Sequence, residues 1–123
     1  MHIVQSPIWE KFKKSYGTEN VRVGEVLYTK HRIPFTNSYY AYCPKVNPFV
    51  IDFPALKNSL EENNCIAVNF DVPNVLTEAE NSEEAKKVFE EAGCSKSPKD
   101  TFTPYNLLLD LTLSEDDLLM SMH

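Results

Sequence analysis

Residues 39–70 read YYAYCPKVNPFVIDFPALKNSLEENNCIAVNF, and this run decides the fold class because it holds two strand signals around a helix signal. Tyr39 to Cys43 is aromatic and short, the composition of a strand. Pro44 to Pro48 breaks it as a loop. Asp52 then stands where a helix cap belongs, Pro54 suits a first turn, and Phe53 to Asn63 follows as a helix. Cys65 to Phe70 is a nearly continuous apolar run, the pattern of a buried strand.

Upstream, Ser6-Pro7 is a cap followed by a first-turn proline. Ile8, Trp9, Phe12 and Tyr16 recur at helical spacing on one face, and Gly17 ends the helix. Val21 to Phe35 is rich in β-branched and aromatic residues and reads as a strand with a bulge at Gly24. Pro34 and Thr36-Asn37-Ser38 mark a turn that pairs it with Tyr39–Cys43. Downstream, Ser82 caps an amphipathic helix to Ala92, with Ala85, Val88 and Phe89 in its stripe and Gly93 closing it. Lys96 to Pro104 is a loop and Leu107 to Leu111 a last strand. Ser114-Glu115-Asp116-Asp117 opens a final helix with acids at its positive end. Together these elements predict an α/β (α+β) domain, helices packed on a mainly antiparallel sheet. The final helix reaches His123 with Leu118, Leu119 and Met122 still presenting an apolar face and no C-cap after them. It reads as a chain cut inside a larger protein.

The chain has 123 residues, 42% hydrophobic and 11% aromatic, which places it with globular domains rather than disordered chains. No apolar run approaches the roughly 20 residues of a membrane span. Lysines interleave the aromatic residues near the N-terminus, so no signal-peptide core is present there and the expected compartment is the cytoplasm. Cys43, Cys65 and Cys94 are odd in number and unpaired in spacing, arguing against a disulfide framework or a zinc site. Net charge is −6, with six Lys/Arg against three acids in residues 1–32 and four against eleven in residues 76–123. An acidic balance makes the chain a poor nucleic-acid binder by itself. No glycine-rich phosphate loop, nucleophile elbow or metal-ligand spacing occurs. His2, His31 and His123 are scattered without readable partners.

A few residues nevertheless stand out. On a helical wheel Lys13 lies about 40° from Trp9, at the border of the apolar stripe. There it can reach over a cleft to an anion as a point charge, or snorkel along a solvated helix. Asp71 ends a strand, where α/β sites are commonly built, and it also suits the turn before Pro73. Trp9 fits a core as well as a ligand stack. Tyr40 and Tyr42 share a strand face and can pack on the sheet or line a cleft. Lys45 follows Pro44 in a loop that could meet a ligand through side chain or backbone.

Four segments in order resemble the FemABX family of peptidyltransferases. Gln5-Ser6-Pro7-Ile8-Trp9 is similar to that family's opening "Q-S-P-x-W" helix. Ile33-Pro34-Phe35 with Ser38 to Lys45 resembles its "l-P-f … Y-x-P-r-G-P" hairpin. Val68 to Pro73 resembles its "R-x-D-P" strand end, and Leu107 to His123 its "L-D-L-s-x-s-E" segment. The departures are a missing family hairpin before Val21, Val46-Asn47 in place of the "P-r-G-P" glycine, and Asn69 in place of the arginine.

The resemblance implies that residues 1–123 are the N-terminal portion of a GNAT-like (acetyltransferase-like) domain. The expected activity is tRNA-dependent transfer of amino acids to the stem peptide of peptidoglycan precursors, with no cofactor and no metal. The implied partners are a nucleotide- or lipid-linked muropeptide and, in the full-length parent, aminoacyl-tRNA. Lys13 matches the lysine that holds the precursor's diphosphate, and Asp71 the aspartate beside the acceptor amine, a catalytic position that serves either as a base or to orient the ammonium; Lys45, Trp9 and Tyr42 are the further substrate-binding candidates. Two other functions are compatible with the sequence: a non-catalytic muropeptide- or protein-binding module, and an acetyltransferase using acyl-coenzyme A. The second lacks the "R/Q-x-x-G-x-G/A" loop, since the only glycines are Gly17, Gly24 and Gly93.

Overall fold

The computed structural model describes residues 1–72, 80–99 and 110–122. Helix α1 spans Pro7–Ser15, strand β1 Asn20–Val23, β2 Val26–Arg32 and β3 Tyr39–Cys43. Helix α2 spans Phe53–Glu62, β4 Cys65–Phe70, α3 Ser82–Glu91 and α4 Glu115–Ser121. Short 3-10 turns cover Ile3–Gln5 and Pro48–Val50. The strands form one sheet in the order β1-β2-β3-β4. The first two pairings are antiparallel and β3 with β4 is parallel. Parallel neighbours need a crossover, and α2 supplies it. The architecture is therefore a mixed α+β fold on a mostly antiparallel sheet.

The segment expected as one bulged strand, Val21 to Phe35, is a hairpin instead. Val23 pairs with Val26, leaving Gly24-Glu25 as a two-residue turn. Gly24 has φ +59° while Glu25 does not share a positive φ, the pattern of a turn with glycine at its first central position. A bulge and a hairpin turn both call for such a glycine, and only the pairing partner tells them apart. Chain past Arg32 leaves the sheet. Ile33-Pro34-Phe35-Thr36 is a turn with Phe35 at φ +63° and fully exposed.

One face of the sheet carries the core. Val26, Tyr28, Ala41, Cys43, Val46 and Leu56 are buried together, with Leu60, Val68 and Phe70 packed against them. The Tyr28 hydroxyl reaches Ser59 Oγ of α2 at 2.9 Å. Phe53, Phe70 and Phe89 meet edge to face or tilted at 5.1–6.2 Å between centroids, tying α2, β4 and α3 together. Burial pushes the Cys43 thiol up to about 12, so it behaves as an apolar packing group.

Three further expectations are corrected. β4 is half-buried rather than buried, because it is the outer strand among the described residues and Ile66 is 70% exposed. α3 is capped by Asn81, not Ser82, and no side chain closes that cap. The apolar stripe of α1 does not face the core: Ile8, Phe12 and Tyr16 are exposed and Trp9 half-buried. The expected strand Leu107–Leu111 lies outside the described residues up to residue 109, while Asp110 and Leu111 belong to no strand. Helix α4 is seven residues, capped by Ser114 through Asp117 N–H, with Leu119, Met120 and Met122 exposed.

No described helix is long and apolar enough to cross a membrane. Among the described residues no three His, Cys, Asp or Glu side chains converge as a metal site.

Candidate functional site

The second face of the sheet bears the polar residues. Thr29 pairs with Tyr42 and His31 with Tyr40, so these four project to the same side. Tyr42 also pairs with Asn69 on β4, and Asp71 continues that face two residues later. Above this floor runs the N-terminal segment, held by an unusual clasp. Gln5, only 4% exposed, accepts from Leu27 N–H at 2.7 Å and donates Nε2 to Leu27 O at 3.0 Å and to Pro44 O at 2.6 Å. Its amide thus takes the ladder position that β3 abandons after Cys43.

Glu10 fixes the orientation of α1. Its carboxylate accepts from Arg22 Nε at 2.7 Å and Lys14 Nζ at 2.9 Å, and its carbonyl from Asn20 Nδ2 at 3.4 Å. The hydrogen bonds from Lys14 and then Arg22 hold its carboxyl below the usual range despite partial burial. Because Glu10 faces the sheet, Trp9 and Lys13 are swung over its polar side. The Lys13 ammonium lies 5.4 Å from the Trp9 ring centroid, a cation–π contact.

Between α1 and the sheet lies a cleft of about 360 Å³. Trp9, Lys13, Tyr42, Lys45 and Asp71 all line it. Five of the six residues singled out in the sequence, spread over more than 60 positions, thus share one concave surface, while Tyr40 stacks on His31 and is not part of the lining. A larger hollow of about 460 Å³ beside α2 and β4 is lined mainly by Phe53, Leu56, Leu60, Val68 and Phe70. Its polar lining residues, Lys57 and Asn58, both come from α2, whereas the cleft draws its polar groups from α1, the sheet and the loop after β3.

At one end of the cleft Asp71 is held by backbone on both sides. Its N–H donates to Cys43 O at 2.9 Å, and its carbonyl accepts from Val46 N–H at 3.0 Å. Its Oδ2 receives the Tyr42 hydroxyl at 3.2 Å and the Lys45 ammonium at 3.2 Å. Oδ1 carries no hydrogen bond among the described residues. Burial first, then the charge and hydrogen bond of Asp71, raise the Tyr42 phenol well above its usual range, so it stays a proton donor. Lys45 adopts φ +46°, a left-handed conformation costly for a side chain with a Cβ. Such strain persists where surroundings enforce it, commonly at binding sites.

The opposite end holds groups that the linear sequence did not single out. His31 Nε2 lies 2.9 Å from Thr29 Oγ1, and its ring stacks on Tyr40 at 4.9 Å. Burial, with the Lys13 charge as a smaller cause, lowers the His31 pKa. His2, Val4, Thr29 and Pro44 complete the lining. Their signal was the β2–β3 register, which places every second residue of 27–31 beside Tyr40 and Tyr42, and which cannot be fixed without knowing where the hairpins turn.

Chemically the cleft offers a cation over an aromatic face at one wall and a carboxylate with an open oxygen at the other. That combination suits a ligand bearing an anionic group and an amine. Compared with protein-family profiles, curated proteins and solved structures, the chain matches none.

Proposed function

We propose that this chain supplies the precursor-binding part of a cytoplasmic, tRNA-dependent aminoacyltransferase of the FemABX type, built on a GNAT-like domain. Its ligand is a nucleotide- or lipid-linked muropeptide. The observation that carries the reading is the convergence on one cleft of Lys13 and Trp9 from the helix of the first motif, Tyr42 and Lys45 from the second and Asp71 from the third. In this reading Lys13 meets the diphosphate as a point charge, and Trp9 backs it with an aromatic face. Asp71 orients the acceptor ammonium through Oδ1, while Tyr42 and Lys45 hold Oδ2.

Transfer from an aminoacyl ester needs a free amine, a placed carbonyl and a stabilised oxyanion. The ester is already activated, so holding the amine in line can supply much of the acceleration. Asp71 serves in positioning rather than as the proton acceptor, since one of its oxygens is committed to Tyr42 and Lys45. Aminoacyl-tRNA is the proposed donor. The acidic balance of residues 76–123 argues against tRNA being gripped there.

The test is titration calorimetry with a nucleotide-linked muropeptide against acetyl-coenzyme A. Muropeptide binding that weakens in Lys13→Ala, with no heat from acetyl-coenzyme A, is the expected result. Binding of acetyl-coenzyme A alone would replace this reading with the acetyltransferase one.

A further inference from the structure

His31 is unused in the reading above, yet it occupies the same cleft as Lys13. Its ring is fixed on both sides. Tyr40 stacks against it, and Thr29 Oγ1 binds Nε2. The Thr29 hydroxyl, itself nearly buried, also lies 3.5 Å from Tyr42 O, a carbonyl that can only accept. In the tautomer with Nε2–H, the hydroxyl accepts from Nε2 and donates to Tyr42 O, and the lone pair lies on Nδ1. Nδ1 has no hydrogen-bond partner among the described residues. Lys13 and the imidazole of His31 thus line one hollow from the helix and the sheet.

We propose that His31 and Lys13 form a single anion subsite for a phosphate-bearing ligand, and that anion binding there places a proton on His31 Nδ1. This deepens the function proposed above and rests on it. Without ligand, burial and then the Lys13 charge lower the imidazole's pKa and so favour its neutral form. An anion seated between the two cancels the Lys13 repulsion and accepts a hydrogen bond from Nδ1–H, so the charged form gains. The other groups facing this part of the cleft are His2, Tyr40, Tyr42, Lys45 and Asp71. Asp71 is already engaged by Lys45, and Tyr42 stays protonated, so neither reverses the sign.

The direction follows from linkage. The bound-state pKa of His31 exceeds the free-state one, so affinity is highest below the free value and falls as pH rises through the bound value. A rise of about one unit corresponds to about tenfold tighter binding at the acid end.

The experiment uses the 123-residue chain and UDP-N-acetylglucosamine, a diphosphate diester that does not titrate in the range studied. NMR follows the His31 Cε1–H resonance and the dissociation constant between about pH 5.5 and 8, where histidine titrates. The expected result is a His31 midpoint raised by about one unit at saturation, with about tenfold tighter binding at the acid end. His31→Gln, which keeps a side chain able to bond Thr29, loses that pH dependence, and Lys13→Ala loses most of the binding. Binding that depends on Lys13 but is flat with pH, with an unmoved His31 midpoint, overturns the subsite and leaves the precursor reading standing. Absence of binding at every pH overturns both.

Discussion

Gln5→Ala is the substitution with the largest consequence relative to its modest appearance. Gln5 precedes α1 at the end of a 3-10 turn, and the sequence marks it only as the first residue of the Q-S-P-x-W stretch. Its amide nevertheless makes three hydrogen bonds, to Leu27 N–H, Leu27 O and Pro44 O. Leu27 is fully buried, so truncation strands its N–H and carbonyl away from water. A buried group left without its partner costs about 1–3 kcal/mol, so the three lost bonds together cost about 3 kcal/mol even with some relaxation. For a chain of this size that corresponds to a fall in Tm of roughly 10 °C. The assay is urea and thermal unfolding followed by circular dichroism. Gln5→Glu serves as the second arm. Its carboxylate accepts from Leu27 N–H but cannot donate to either carbonyl, so it is destabilised at neutral pH and partly recovers as the carboxyl protonates in acid. Because Gln5 pins the N-terminal segment across the sheet, both variants also loosen the wall that carries Trp9 and Lys13. If both substitutions stay within about 0.5 kcal/mol of the parent, the range of ordinary surface changes, the clasp has no energetic role.

Four further outcomes are expected. Lys13→Ala weakens binding of a diphosphate ligand by about 10- to 150-fold, the loss of one charge-assisted contact of about 1.5–3 kcal/mol, with unchanged folding by circular dichroism. Asp71→Asn lowers the Tyr42 phenol midpoint toward its ordinary value but not all the way, because burial is the larger cause; tyrosinate absorbance against pH reads this out. Lys45→Gly is more stable than Lys45→Ala by about 1 kcal/mol, since both lose the Asp71 ion pair and only alanine keeps the left-handed strain, as urea midpoints will report. Glu10 has a lowered folded pKa, so its contribution is complete above the ordinary value of 4.5 and disappears as pH falls through the lowered one. Glu10→Gln therefore flattens the acid side of the stability curve, measured by thermal unfolding at stepped pH.

Much of the fold was legible because local chemistry fixes it. Ser6-Pro7 and Asp52-Phe53-Pro54 specify two helix starts, and the Ser6 and Asp52 side chains accept from Trp9 N–H and Ala55 N–H. β3 and β4 fall at Tyr39–Cys43 and Cys65–Phe70, as composition indicated. What failed needed a partner to decide it. Gly24 permits a bulge or a hairpin, and only Val23 opposite Val26 makes it a hairpin. The stripe of α1 showed that the helix is two-faced, but the Glu10–Arg22 pair decides which face meets the sheet. Asn81 replaced Ser82 as a cap by one position, within the ordinary fraying of helix starts. For the candidate site, Lys13 and Asp71 were visible through helical spacing and strand-end position. Thr29 and His31 were not, because their side of the sheet depends on where β2 begins. Gln5 was visible only as a motif residue, since nothing local marks a glutamine as buried.

The proposed binding of a phosphate-bearing muropeptide in the cleft between α1 and the polar face of the sheet can be mapped residue by residue. Backbone amide shifts of the isotope-labelled chain, followed during titration with a nucleotide-linked muropeptide, test it most directly. Saturable shifts are expected in the first two turns of α1, in Thr29–His31, in Tyr42–Val46 and in Asp71, with α2, α3 and α4 unmoved. Shifts clustered instead on Phe53, Leu60, Val68 and Phe70 around the apolar hollow, or none at saturating ligand, would contradict it.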